Sequence, residues 1–139
     1  MPAGVESLLS GRNLAPLDER KKIAVINTFR GMEPELNVHY EEGSKTLFRV
    51  LRDEYDVEYG DVTFGPDIYP GTSNVDPNAS LSMKAAVAHE ISHYHRWINQ
   101  QEINEDSMRH LDEALTSLDA VKRNYTRLDH NDIQGLVSD

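Results

Sequence analysis

His89-Glu90-Ile91-Ser92-His93 sets two imidazoles four residues apart, with a carboxylate directly after the first. On a helix, residues i and i+4 share a face, so both rings can reach one metal ion. Glu90 is one residue on, rotated by about 100° to the edge of that surface. There it can take a proton from water at the metal without being a ligand itself. Two imidazole ligands and a carboxylate base are the parts of a metal-assisted hydrolysis. The chain has no cysteine, which excludes disulfides, thiolate nucleophiles and Cys-ligated metal sites. Any further ligand must be His, Asp or Glu.

Glu113, in Asp112-Glu113-Ala114-Leu115-Thr116-Ser117, follows His93 by 20 residues. If both segments are helical and the link between them is short, the chain doubles back and Glu113 returns beside His89 and His93. With these residues the sequence resembles the gluzincins, the thermolysin-like branch of the zincin metallopeptidases, over about residues 80–120. The resemblance implies Zn2+ held by His89, His93 and Glu113, with Glu90 as general base in peptide-bond hydrolysis. The second motif departs from the family's N-E-x-x-S-D. Asp112 stands where the family has Asn, and Ser117 where it has an Asp that buttresses a zinc-binding His. No such resemblance extends over residues 1–75.

His110 lies one turn before Glu113 and is expected on the same side. It is a candidate catalytic residue that stabilises a developing oxyanion, and equally a fourth ligand, a partner to one, or a surface side chain. Tyr94, Tyr125 and His130 are open alternatives for the oxyanion role. His95 is expected at the surface, His39 and His130 in structural or solvated places, and Trp97 in packing. Glu90-x-x-His93 and His110-x-x-Glu113 also admit a rival, a ferritin-like di-iron site. That fold requires four long helices, and the middle of this chain is not helical in pattern. A third reading is a metal-stabilised binding domain without catalysis.

These residues need elements to position them. Met83, Val87, Ile91, Tyr94 and Ile98 form an apolar stripe at helical spacing. Relative to Val87, His89 and His93 fall about 120–160° around the wheel, beside the stripe. Leu111, Leu115, Leu118 and Tyr125 predict a second helix with its own core stripe. Asn99 to Asp106 is polar and contains the turn, so the two helices should pack antiparallel. Ile133 to Val137 is a last amphipathic fragment. Upstream, residues 1–16 read as an irregular arm, and a short helix is expected over about 18–30, with Ile23, Ile26 and Phe29 inward and Gly31 as its stop. Leu36 to Tyr40 could be a strand, Glu41 to Lys45 a turn, and Thr46 to Leu51 a strand or short helix. Val57 to Phe64 reads as the best strand, with Gly60 hinting at a bulge. It is also the candidate edge strand along which a zincin would lay its substrate. Residues 65–78 read as loop.

The chain has 139 residues, enough for one small domain, with 14 Lys and Arg against 24 Asp and Glu and a net charge of -10. Such an acidic chain disfavours nucleic-acid backbones and anionic membranes as partners. No segment has the length and apolarity of a membrane span, and the first residues do not resemble a secretory signal. With zero Cys this predicts a cytoplasmic protein. The expectation is therefore a small α+β zincin-like domain over 1–139 that acts on a peptide or protein substrate.

Overall fold

A computed structural model describes residues 12–71, 82–103, 106–124 and 126–138. The fold is α+β. Helix α1 (Glu19–Met32) is followed by strands β1 (Asn37–Tyr40), β2 (Leu47–Arg52) and β3 (Glu58–Phe64). Helices α2 (Met83–Ile98), α3 (Arg109–Asn124) and α4 (His130–Ser138) complete the chain. Asp18 caps α1, its side chain accepting from the Lys21 amide at 2.8 Å. The turn at Gly43 forms as expected, and its φ of 79° is one that glycine adopts without strain.

The sheet order is β1-β3-β2, with β1 parallel and β2 antiparallel to β3. The expected edge strand over Val57 to Phe64 is therefore the central one, hydrogen-bonded on both sides. β2 is the edge strand beside α2. No bulge occurs at Gly60, because the β2–β3 register runs unbroken from Leu47↔Thr63 to Arg52↔Glu58. Gly60 serves close packing instead. A Cβ there would lie 2.5 Å from the Tyr94 ring and 2.9 Å from Phe48.

Helix α2 is the central element. On one flank Ala86, Val87 and Ile91 join Val25 and Phe29 of α1 and Val62 and Phe64 of β3 in the larger core. On the other, Ala85 and Ala88 meet Ala120, Leu128 and Leu136 in a second cluster. The alanines let α3 and α4 approach closely. Ser82 caps α2, accepting from the Ala85 amide, and is bonded in turn to Asp132 of α4.

Three expectations about inward faces are corrected. Ile23 is exposed, and Val25 takes its place beside Phe29 in the core. Ile98 lies past the covered part of α2 and is exposed. The Leu111, Leu115 and Leu118 stripe of α3 faces solvent, at 49%, 39% and 56% exposure. The face that α3 buries is Thr116, Ser117, Ala120 and Asn124. Small and hydrogen-bonding side chains win that face because the neighbour they meet is the polar flank of α2, which carries His89 and Arg96. Residues 72–78 of the expected loop, residues 1–11 of the expected arm and Tyr125 lie outside the described residues.

Candidate metal centre

α2 and α3 are antiparallel, as expected: His89 bonds to Ser117, while Arg96, two turns on, bonds to Thr116 and the Asp112 carbonyl. Arg96 sets this register. Its guanidinium is almost wholly buried and donates to the Asp112 carbonyl at 2.8 Å, Thr116 Oγ1 at 2.6 Å and the Gln101 carbonyl at 2.7 Å. It also pairs with the Asp112 carboxylate at 2.8 Å. One buried cation thus ties the end of α2, the following loop and the first turn of α3 together. A buried charge is tolerated only with such complete pairing. The sequence reading missed Arg96. Its signal was a base seven residues after His89, two turns along the same face of that helix.

That register brings Glu113 to the two imidazoles. Glu113 Oε2 lies 2.7 Å from His89 Nε2, and Oε1 lies 3.2 Å from His93 Nε2. One ligand atom from each of the three residues falls within 4.8 Å of the others. Donors about 2.1 Å from one tetrahedral ion lie about 3.4 Å apart, so small side-chain rotations bring all three onto a single ion. The group could hold a metal ion. Among the described residues no other set of three acidic or imidazole side chains has this geometry.

The surroundings fit a cation. Ser117 Oγ is 3.0 Å from His89 Nδ1. His89 Nε2–H donates to Glu113 and Nδ1 accepts from the Ser117 hydroxyl; a metal at Nε2 would require the other tautomer, with Nδ1–H donating to Ser117. Ser117 thus fixes the orientation of the His89 ring. The hydrogen bonds from His89 and His93 hold the Glu113 carboxyl well below the usual carboxylate range. On the other side His93 is stacked at 4° on the Phe48 ring of β2. Trp97 and Tyr94 pack on the same phenylalanine, so Trp97 is a packing residue as expected.

Glu90 is buried beside this cluster. Its Oε2 has no hydrogen-bond partner. Burial pushes its carboxyl up to about 7; the adjacent His89 opposes the rise and Glu113 reinforces it. The Phe48 backbone, which favours the charged form, also opposes the rise. A cleft of about 510 Å³ opens onto the site, lined by Thr46, Leu47, Phe48, Glu90, His93, Glu102, Arg109, Asp112 and Glu113. Edge strand β2 forms one wall and the start of α3 the other. Thr46 is fixed at the mouth by Asp67, which accepts from its amide at 3.0 Å and its hydroxyl at 2.6 Å.

The remaining histidines divide. His110 is exposed and is not among the cleft-lining residues. Among the described residues it joins no group of three that could hold a metal ion. His95 is partly exposed and pairs at 3.0 Å with Glu33, just past the end of α1. His39 lies on the open face of the sheet, bonded to Thr63 Oγ1 at 2.9 Å and 3.3 Å from Asp61. His130 is exposed at the start of α4. Comparison with known protein families, curated proteins and solved structures returns no match to this chain.

Proposed function

We propose that the chain is a zinc-dependent metallopeptidase. The carrying observation is the convergence of His89 Nε2, His93 Nε2 and Glu113 beside a buried glutamate whose Oε2 has no partner. Two imidazoles and one carboxylate are a borderline donor set that suits Zn2+. Three protein ligands leave a fourth position open, whereas structural zinc sites are closed by four. This favours catalysis over a purely structural clamp. Zinc held there would supply Lewis acidity for a carbonyl oxygen and acidify water at the site.

The chain's own residues do the rest. Glu90 lines the cleft and its buried Oε2 has no partner, so its carboxylate would accept a proton from water and return it to the departing amine. Its raised carboxyl suits it to hold that proton between the two transfers near neutral pH. Ser117 and Phe48 fix the two rings. The cleft runs along the edge of β2 at Leu47 and Phe48, the side on which an extended peptide would lie. His110 keeps no place in this scheme, and the oxyanion donor is unassigned.

The test combines metal analysis with one substitution. Purified protein should carry one zinc per chain. Glu90→Gln should keep that zinc and lose about 10²–10⁴-fold of peptide hydrolysis. Loss of zinc in the variant would make Glu90 a ligand and overturn the assignment. Zinc without hydrolysis in the wild type, across a broad peptide panel, would leave a metal-stabilised binding domain.

A further inference from the structure

Four carboxylates line the cleft, together with His93 and Arg109. The contacts of three account for their presence. Glu113 joins the imidazoles. Asp112 Oδ1 takes Arg96 Nη1 at 2.8 Å and the Ile103 amide at 3.0 Å. Glu90 is the buried base. Glu102 is left over: it is half-buried, and no side chain or amide among the described residues holds its carboxylate.

Its backbone, by contrast, is held on both sides. The Gln101 carbonyl accepts from Arg96 Nη2 at 2.7 Å, and the Ile103 amide donates to Asp112 Oδ1 at 3.0 Å. A loop residue so anchored is presented at the cleft in a fixed place. A second observation points to a ligand in the same space: Glu90 is nine-tenths buried there with its Oε2 unpartnered. Partial burial and the nearby Asp112 push the Glu102 carboxyl upward, against the opposing pull of His93 and Arg96.

We propose that Glu102 selects the substrate, receiving the Lys or Arg side chain of a peptide bound in the cleft. This rests on the peptidase reading of the same site and names its substrate class. A carboxylate without a hydrogen bond among the described residues, on a backbone pinned by a buried guanidinium, forms a charge-assisted hydrogen bond with an incoming cation at little ordering cost.

The experiment uses octapeptides that are acetylated and amidated, so that no terminal charge competes. A single Lys, Gln or Glu is stepped along an otherwise neutral frame. Cleavage is measured with zinc-loaded wild type. Binding is measured by fluorescence anisotropy with zinc-loaded Glu90→Gln, which does not turn over. At the preferred position, Lys should be favoured over Gln by about tenfold in both measurements. Adding Glu102→Gln should bring that ratio close to one, and Glu102→Lys should shift preference to the Glu peptide. Equal zinc content and circular dichroism show that these variants are folded. A Lys/Gln ratio unmoved by Glu102→Gln overturns the inference. If no peptide is cleaved but binding preference follows residue 102, the peptidase reading fails and the cation site stands. If peptides are cleaved with no charge preference, the peptidase reading stands and the Glu102 assignment falls.

Discussion

A carboxylate buried without a full set of partners opposes folding, and Glu90 is one. Its carboxyl is raised from 4.5 to about 7, so the folded chain favours the protonated form. Without metal, stability therefore falls as pH rises from about 4.5 to about 7 and stays lower above that. A tenfold change in proton affinity is worth about 1.36 kcal/mol, so the loss is on the order of 3–4 kcal/mol at most. Glu90→Gln should accordingly raise the melting temperature of chelator-treated protein at pH 8, and the gain should vanish below about pH 4.5. Thermal melts of both proteins across pH check this; a destabilised variant at pH 8 would contradict it. Glu113 has the opposite sign. The two imidazoles lower its carboxyl, so its contribution is present above about 4.5 and is lost as pH falls. Ser117 acts through His89. Ser117→Ala should leave the fold in place and weaken zinc binding by about 10–100-fold, read by competition with a chelator dye.

At the scale of elements, two packing facts separate positions that look alike in sequence. Gly60 sits in a regular strand, yet the Tyr94 ring occupies the space a methyl group would need. Gly60→Ala should cost about 1–3 kcal/mol through overpacking, measured by urea unfolding. It should also loosen Phe48, which meets the same Cβ position and stacks on His93. Leu118 has the opposite character. It belongs to a well-spaced leucine stripe, but that stripe faces water. Leu118→Lys should change stability by no more than about 0.5 kcal/mol in the same measurement. A loss of several kcal/mol would mean that the outer face of α3 is covered.

For the whole molecule, His89, His93 and Glu113 meet between α2 and α3, and the contacts that hold the helices also hold these three side chains. Metal that binds only the folded chain must then stabilise all of it. At a free metal concentration about 1,000 times Kd, the gain is about 4 kcal/mol. Zinc should raise the melting temperature, EDTA should lower it, and neither should affect His93→Ala. An unchanged melt of the wild type would show that no metal is coupled to the fold. No helix among the described residues is long and apolar enough to cross a membrane.

What was legible from sequence alone was whatever depends on spacing along one element or across a short connection. His89 and His93 share a face because four residues make about one helical turn. Glu113 returns to them because a short polar link between two helices forces an antiparallel pair. The strands at Asn37–Tyr40 and Glu58–Phe64 and the Gly43 turn follow from local propensity and φ preference. What only the tertiary structure decided was which face of each element meets a neighbour. The leucines of α3 predicted an inward stripe, but the flank of α2 offered to α3 holds His89 and the buried Arg96. A buried imidazole and guanidinium must be hydrogen-bonded, so Thr116 and Ser117 took the inner face and the leucines were turned outward. In the same way β2, ambiguous by pattern, became the edge strand of the cleft, and Val57 to Phe64 became the central strand. Strand order is set by long-range pairing, which no local spacing encodes.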